Sequence, residues 1–337
     1  MMQFTTSIHA QVPRASCPTH AVKTIRVPWA DAHSRFTLLF EMFAIEVLQA
    51  TASVTQAQSL LHLSWDAVQR VKERGVERGL TRRKNDPITY VGIDEKSFLK
   101  GHTYASLMTD LERGRVLDVV QDRTKESAVL LIKTALSDSQ RAGVKAAAMD
   151  MWQPFMDAWS EASEASLVHD KFHISQYLGN AVDAVRRKEN RTRLKEGDEI
   201  LKGARYLFLK NELEGDEKKR FRALMREELK VGRAWSLKEA FRHFWDFVRE
   251  SAARSFFIRW YFRATHSRLE PLIKVAKMLK RHLAGLLAHC AHDITNAVTE
   301  GLNNKIQAIK ANARGFRNFD HYRIAILFGC GKLDMKP

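Results

Sequence analysis

Hydrophobic residues recur at helical spacing soon after an irregular start. Residues 1–30 contain three prolines, which interrupt helices, so we expect an irregular arm over residues 1–33. Beyond the arm, apolar positions follow the period of an amphipathic helix, and a second short helix is expected at about residues 55–61. Ser64 is then suited to cap a third helix. The pattern therefore predicts a helical unit over residues 34–84.

The three predicted helices match the length and arrangement of a helix-turn-helix DNA-binding unit, in which the third helix enters the major groove. A small helical bundle with a solvated charged face would give the same pattern, so the pattern alone leaves both interpretations open. A basic linker ending at Pro87 follows. The residues expected on the exposed side of the third helix are Asp66, Gln69, Arg70, Lys72, Glu73 and Arg74, and the candidate DNA contacts are Gln69, Arg70, Lys72, Arg74, Arg82 and Arg83.

After Pro87 the hydrophobic pattern changes to that of β-strands. The first three strands are joined as a meander, and a helix precedes each of the last two. The resulting order, β-β-β-α-β-α-β, is that of the ribonuclease-H-like fold. We therefore expect an α/β catalytic domain with a mixed sheet over residues 85–337. The predicted strands are ITYVGID, HTYASLMTDL, RVLDVV, VKAAAMD and SLVHD.

From about residue 174 to residue 289 the pattern is almost wholly helical, which predicts a large helical insertion in the catalytic domain. Four aromatic residues and three arginines in this stretch could stack on unpaired bases near a cut DNA end. Because aromatic residues at helical spacing more often form a core, we favour the core interpretation. These residues are Trp235, Trp245, Trp260 and Tyr261, with Arg254, Arg259 and Arg263.

The net charge indicates what this chain binds. Its 55 Lys and Arg residues outnumber 39 Asp and Glu, and the formal net charge of +16 favours nucleic acid as partner. No apolar run is long enough to span a membrane and no basic amphipathic anchor stands at a terminus, so we expect no membrane partner. The N-terminus lacks the apolar segment of a secretory signal, which predicts a cytoplasmic, nucleoid-associated protein.

The three cysteines are too far apart for a disulfide framework or a CxxC zinc pair.

Two acids follow strands that the expected fold brings side by side. Asp94 ends the first predicted strand and Asp150 ends the fourth. Phosphodiester cleavage with two Mg²⁺ ions requires hard oxygen ligands of this kind. Acids after strands are also common loop residues, and either acid considered alone would favour that interpretation.

A third acid, Glu300, belongs to a predicted helix with a polar face. Asn296, Glu300 and Asn304 recur at every fourth position, and Asn303 lies near the same face. Lys305 follows and could contact phosphate oxygens. A carboxylate between amides suits a metal site, although a solvated helix face would have the same composition.

Four segments of this chain together resemble the ISL3 family of bacterial insertion-sequence transposases, a branch of the DDE transposases. The resemblance spans about residue 34 to the end and implies that Asp94, Asp150 and Glu300 are the catalytic triad. It implies that these acids hold two Mg²⁺ ions, for which Mn²⁺ could substitute. The segments are VGIDEKSFLKGHTYASLMTDL, AAAMDMWQPF, LVHDKFHI and TNAVTEGLNNKIQAIKANARGF.

The same resemblance implies a mechanism and partners. One strand is cut at the element's end, and the freed 3′-hydroxyl then attacks target DNA. The expected partners are double-stranded DNA, at the element ends and at the target, and further copies of the chain assembled on that DNA. Family members also carry an N-terminal zinc finger with CxxC pairs. Here only Cys17 and His20 stand in that region, so we expect residues 1–33 to be a shortened or diverged remnant.

Several further residues are weighed against structural roles. Strand alternation turns Glu95 away from Asp94, so we expect it to be structural. Asp170 ends the fifth strand, and it either supports the site or a DNA contact or has a packing role. His169 and His173 have a metal-ligand spacing but straddle a strand end, which disfavours a zinc site.

A compact run of possible zinc ligands stands just before the Glu300 helix. Four such groups packed so closely along the chain cannot surround one metal ion, so we interpret the run as a turn and helix cap. The run comprises His289, Cys290, His292 and Asp293.

Two other functions remain open from the residues alone. A different ribonuclease-H-like nuclease or integrase would keep the triad. A truncated, catalytically inactive transposase relic would bind DNA without cutting it.

Overall fold

The computed structural model describes residues 6–31, 34–83, 86–99, 103–210, 212–292, 294 and 297–337. The chain forms two compact units. The first comprises Met1–Lys84 together with Ala308–Pro337, and the second comprises Asn85–Gln307.

The first unit begins with a β-hairpin, so the expectation of an irregular arm is wrong there. Strand β1 (Arg14–Cys17) pairs antiparallel with β2 (Ala21–Thr24). Prolines break helices but tolerate extended backbone at strand ends, and here Pro13 and Pro18 flank β1 instead of interrupting it.

Three capped helices follow the hairpin. The side chains of Thr37, Ser53 and Ser64 each accept a hydrogen bond from a backbone N–H of the first turn, which confirms Ser64 as an N-cap. His62 has a left-handed backbone with a φ of 52°, which ends the second helix and turns the chain into the third. The helices are α1 (Leu38–Ala50), α2 (Val54–Leu61) and α3 (Trp65–Arg82).

The C-terminal helix of the chain packs on α3 within the first unit. Gln69 and Lys72 are buried there, so the expectation that they are exposed is wrong. The physical reason is a helix more than 200 residues away: the Lys72 ammonium lies over the ring of Phe328 at 5.3 Å. Burial lowers the pKa of Lys72 to about 8. This helix is α15 (Phe319–Cys330).

The second unit contains a mixed sheet of five strands among its described residues, and all five strands that the sequence predicts are present. The strand order is β5-β4-β3-β6-β7. The first three strands form an antiparallel meander, and β6 and β7 join it in parallel. The strands are β3 (Tyr90–Leu99), β4 (Thr103–Asp110), β5 (Arg115–Gln121), β6 (Ala146–Met149) and β7 (Ser166–His169).

Helices cover one face of this sheet and enclose its hydrophobic core. Val91, Ile93 and Met149 point to that face, where they pack with Leu131 and Trp159 of the covering helices. The Ala146–Met149 strand is wholly buried, because it lies between β3 and β7. The helices between the strands are α4 (Lys125–Ala135), α5 (Asp138–Gly143) and α6 (Gln153–Ala162).

A helical region with its own core follows β7. Trp260 is buried and its indole nitrogen donates to the Leu237 carbonyl at 2.8 Å, while Trp235, Trp245 and Tyr261 pack against the same core. The core interpretation of these aromatic residues is confirmed. The helices are α7 (Lys171–Lys195), α8 (Arg205–Leu209), α9 (Gly215–Arg226), α10 (Lys230–Arg242), α11 (Glu250–Thr265), α12 (Glu270–Arg281) and α13 (Leu283–Leu287), with 3₁₀ helices at His243–Asp246 and Ala288–Cys290.

The last helix of this part is α14 (Ala297–Asn312). Among the helices of the described residues, none combines the length and apolarity that crossing a membrane requires.

Candidate active site

Three aspartates each come directly after one of three register-paired residues on neighbouring parallel strands. Ile93 of β3 pairs with Met149 of β6, and Met149 pairs with His169 of β7. Adjacent strands are about 5 Å apart, so the residues that follow these partners start from neighbouring backbone positions. The predicted adjacency of the first and fourth strands is confirmed. The three following residues are Asp94, Asp150 and Asp170.

Asp94 does not end its strand, contrary to the sequence-based expectation. β3 continues to Leu99 because β4 pairs with it beyond the point where its pairing with β6 stops, as in the pair Ser97 and Tyr104. Asp94 therefore belongs to a rigid, paired backbone on one side and lies at the open end of the parallel pairing on the other.

The Asp94 carboxylate is held by two donors and one cation. Its Oδ1 accepts a hydrogen bond from the Glu95 backbone N–H at 2.7 Å. Its Oδ2 accepts one from Asn303 Nδ2 at 2.6 Å and lies 3.6 Å from Lys96 Nζ. With only 11% of the side chain exposed, these contacts fix the direction in which the carboxylate points.

Asp150 has a comparable set of partners. Its Oδ1 accepts from the Met151 backbone N–H at 2.6 Å, and its Oδ2 accepts from the Tyr177 hydroxyl at 3.3 Å. Burial and the Asp150 charge raise the pKa of Tyr177, so this phenol stays protonated and acts as a donor. His173 Nδ1 lies 3.7 Å from the same Oδ2.

One face of α7 therefore supplies the side chains around Asp150 and Asp170. Asp170 caps α7 by accepting the Phe172 backbone N–H at 2.9 Å, and its Oδ2 lies 3.7 Å from His173 Nε2. His173 thus lies between Asp150 and Asp170. Tyr177, which the sequence interpretation missed, follows one further turn along the same face. Its position seven residues after Asp170 was the available signal.

His169 and His173 face different neighbours, which agrees with the unfavourable view of a shared zinc site. The His169 ring packs against His282 at 5.4 Å between ring centroids. Gly285 makes room for it, since a Cβ there would lie 2.5 Å from the ring. Burial and the nearby His282 lower the pKa of His169 to about 4.

The helix that carries Glu300 is docked on β4 and β3 through two residues about one turn apart. Thr299 Oγ1 lies 3.3 Å from Thr109 Oγ1, and Asn303 reaches Asp94. Gly92 permits this approach, because a Cβ at that position would come within 2.9 Å of Thr299 Oγ1. The helix is thereby held across the strand that bears Asp94.

Glu300 itself is exposed, next to the buried Thr299 and one turn from Asn303. Asn304 and Lys305 on the same helix are exposed as well. Asn296 lies outside the described residues.

Asp94, Asp150 and Glu300 offer only carboxylate oxygens as ligand atoms, and such oxygens suit a hard divalent cation. Asp94 and Asp150 start from neighbouring backbone positions. Among the described residues, however, no three His, Cys, Asp or Glu side chains are gathered closely enough to hold a metal ion. The exposed Glu300 therefore does not complete a cluster with the two aspartates in this structure.

Glu95 has a structural ion-pair partner, as expected, and its charge also contributes to the raised pKa of Tyr177. It forms an ion pair with Arg123 at 2.8 Å. The Arg123 guanidinium also lies over the rings of Tyr104 and Trp152, at 4.0 and 4.7 Å.

The compact run before α14 contacts neighbouring backbone. His289 Nε2 lies 3.3 Å from the Trp245 carbonyl, and the Cys290 thiol donates to the Phe247 carbonyl at 3.3 Å. The ring of His292 packs near Tyr90. Asp293 lies outside the described residues.

The candidate DNA contacts on α3 differ in their surroundings. Arg70 is exposed. Arg74 is only 28% exposed and forms an ion pair with the buried Glu41. Arg82 is exposed and pairs with Asp334 at 3.0 Å, and Arg83 is half-buried.

The known proteins and family models that this chain is similar to are all transposases or transposase domains. A family model described as "Transposase", of the ISL3 group with the DDE designation, matches residues 91–326, which is more than half of the chain. A model described as the helix-turn-helix domain of transposase family ISL3 matches residues 25–76. The transposase for insertion sequence element IS1001 of Bordetella parapertussis is 26% identical over 89% of this chain and 75% of its own length. The transposase for insertion sequence element IS1557 of Mycobacterium tuberculosis is 26% identical over 92% of this chain and 76% of its own length.

Proposed function

Because the chain belongs to the ISL3 family of transposases, we propose that it binds the ends of an insertion sequence and catalyses metal-dependent DNA strand cleavage and strand transfer. The family consists of DNA-processing enzymes that generally use divalent metal ions. The helix-turn-helix domain supports DNA binding.

The observation that carries the proposal is the register of β3 and β6. It brings Asp94 and Asp150 to neighbouring positions although they are far apart along the chain. Two carboxylates at adjacent strand positions can share hard cations, which neutralise the charge that develops on a phosphodiester during in-line displacement.

We assign Asp94, Asp150 and Glu300 as the ligands of two Mg²⁺ ions, with Mn²⁺ as a substitute. When bound, these ions would supply Lewis-acid activation of the attacking hydroxyl and of the leaving oxygen. Asn303 and Lys96 orient the Asp94 carboxylate, and Tyr177 and His173 orient that of Asp150. Glu300 is exposed, and we propose that it moves toward the other two acids when cations and DNA bind.

The proposed domain organisation follows from the same assignment. Residues 1–33 are an N-terminal arm, residues 34–84 are the DNA-binding unit, and residues 85–337 are the catalytic domain. The helical stretch at about 174–289 is proposed as an insertion in that domain. The strand order and the β-β-β-α-β-α-β succession support a ribonuclease-H-like fold for it.

The proposed DNA partners are the double-stranded element ends and the target. Arg70, Arg82 and Lys305 are exposed and suited to phosphate contact, and the half-buried Arg83 is a further candidate. Because two element ends must be cut and joined together, we propose a homo-oligomer assembled on DNA.

The test measures cleavage and strand transfer with Mg²⁺ on DNA that carries the flanking ends of the insertion sequence. The native chain is compared with Asp94→Ala, Asp150→Ala and Glu300→Ala. Each substitution should lower the cleavage rate at least about 100-fold, because a metal ligand contributes several kcal/mol to the transition state. Glu161→Ala, which removes an exposed carboxylate on α6, is the matched control and should leave the rate unchanged.

The outcomes separate three functions. Cleavage with strand transfer, lost in all three alanine variants while DNA binding persists, supports a transposase. Cleavage without transfer indicates a nuclease of the same fold. A native chain that binds DNA and never cuts it indicates a relic that only binds DNA.

A further inference from the structure

A basic groove runs along the second half of α7. Its volume is about 560 Å³, and it is open to solvent along its length. The lining residues are Arg186, Arg187, Asn190, Arg191, Leu194 and Lys195.

The groove lies between two regular rows of side chains. Arg187, Arg191 and Lys195 recur at every fourth position of α7, so they form one row with neighbours about 5–6 Å apart. A parallel row, which includes Arg186 and Asn190, lies beside it. The Oδ1 atom of Asn190 is buried and has no hydrogen-bond partner within the part of the chain that the structure describes.

Carboxylates compensate little of this charge. The helix contains seven Lys and Arg residues but two acids. Asp183 is shared by Arg186 and Arg187, and Glu189 is turned inward, where it accepts the backbone N–H groups that begin α10. Neither Arg191 nor Lys195 forms an ion pair with a described residue.

A purely structural role explains only some of the basic residues in the second half of α7. Basic residues in the last turn of a helix interact favourably with its dipole. Arg193 fills that role, since it pairs with Glu189 and with Asp198 at 2.6 Å. Arg187 and Arg191 stand before the last turn and are exposed, so neither the helix dipole nor burial explains them, and of the two only Arg187 has an ion-pair partner among the described residues, Asp183.

The position of the groove relative to the candidate active site identifies its ligand. The same helix begins at Asp170, and its first two turns carry His173 and Tyr177 against Asp150. At 1.5 Å per residue, Arg187 lies roughly 25 Å and Lys195 roughly 37 Å along the helix from Asp170. A rigid helix therefore links the acids to a positively charged track at a defined distance.

We propose that Arg187, Arg191 and Lys195 bind the phosphate backbone of duplex DNA whose reacting phosphodiester lies at Asp94 and Asp150. This inference rests on the proposed function. At 3.4 Å per base pair, the contacted phosphates lie about 7–11 base pairs from the cut. The contacts are to phosphates, so they position the DNA without reading its sequence.

The experiment measures the salt dependence of binding to a 40-base-pair duplex that carries one insertion-sequence end with its flanking DNA, in EDTA, where no cleavage occurs. The test protein is the full chain with Arg187→Gln, Arg191→Gln and Lys195→Gln together. The control carries Lys202→Gln, Lys218→Gln and Lys219→Gln, which remove the same charge from exposed positions in the same helical region. Urea unfolding of both variants verifies that each is folded.

The expected result is that the slope of log affinity against log salt falls in magnitude by about 3 in the groove variant, one per lost phosphate contact. Affinity at 0.1 M salt should fall on the order of 100-fold, with less than about a threefold change in the control. Ethylation of phosphates about 7–11 base pairs from the cut should weaken binding of the native chain alone.

Three results would overturn the inference: an unchanged slope in the groove variant, an equal loss in the control, or interference confined to phosphates beside the cut. Failure of the native chain to bind any duplex is a different outcome, because it contradicts the proposed function itself.

Discussion

Asn303 Nδ2 donates a hydrogen bond of 2.6 Å to Asp94 Oδ2 across 209 residues of chain. This bond joins the helix that carries Glu300 to the strand that carries the first aspartate of the candidate site. One amide therefore both orients a metal ligand and holds its helix against the sheet.

Asn303→Ala should lower the rate of DNA cleavage by about 10–100-fold, because outer partners that orient metal ligands typically contribute that much. Duplex affinity in EDTA should be unchanged, since Asn303 is only proposed to orient the acid. Single-turnover cleavage at saturating DNA is the measurement. Gln307→Ala, an exposed amide on the same helix, should behave as the native chain does. A cleavage rate within twofold of native for Asn303→Ala would contradict the orienting role.

Gly92→Ala should displace α14 from β3. The added Cβ would lie 2.6 Å from Thr109 Oγ1 and 2.9 Å from Thr299 Oγ1, and a packed interior does not absorb such contacts freely. We expect a loss of about 1–3 kcal/mol in the free energy of unfolding together with loss of cleavage. Urea denaturation and a cleavage assay measure the two effects. Gly179→Ala, where the added Cβ meets nothing within 4 Å, should be neutral or slightly stabilising. The idea is wrong if the two variants are equally stable.

The buried His169 should make the second unit sensitive to acid. Its pKa is lowered to about 4 by burial and by His282, whereas the unfolded chain takes up that proton near the ordinary value of 6.5. Between these two values the unfolded state binds more protons, so stability falls as the pH falls. The free energy of unfolding should drop by up to about 3 kcal/mol from pH 6.5 to pH 4 through this residue. Urea midpoints across this range in the native chain and in His169→Gln provide the comparison. Equal pH dependence in both would exclude His169 as the source.

The ion cluster around Glu41 should stabilise the DNA-binding unit. Glu41 is fully buried, pairs with Arg74 and Arg78, and accepts a hydrogen bond from Ser34 Oγ at 3.0 Å. Glu41→Ala leaves the partly buried Arg74 without its carboxylate and Arg78 with only Asp31, so it should cost about 3–5 kcal/mol. Thermal or urea unfolding is the measurement.

Glu46→Ala is the matched control, because it removes an exposed ion pair with Lys336 from the same helix and should cost less than about 1 kcal/mol. Similar losses in the two variants would show that burial does not strengthen the Glu41 cluster.

The local sequence pattern was sufficient to predict a structural feature wherever that feature depends on neighbours along the chain. Ser64 caps α3 because its hydroxyl needs only the N–H of Ala67 three residues later. The strands after Pro87 and the aromatic core of the helical region follow from periodicity in the same way. Even the adjacency of Asp94 and Asp150 could be predicted, since it follows from strand order and not from any particular side chain.

Tertiary packing decided which segments that are far apart in the chain contact each other. Gln69 and Lys72 have the polarity of exposed residues, yet α15 covers them. Asp94 lies within β3, because β4 prolongs the pairing on one side.

The sequence by itself determined the three helices after the arm, the five strands after Pro87 and the order of those elements along the chain, because each depends on the backbone and on side chains a few positions away. Only the tertiary structure decided that Asn303, and not Asn304, holds Asp94, and that α7 carries Tyr177 to Asp150. Such contacts depend on the rotation and docking of whole helices. That docking is set by the combined packing of many residues, and no single stretch of the chain encodes it.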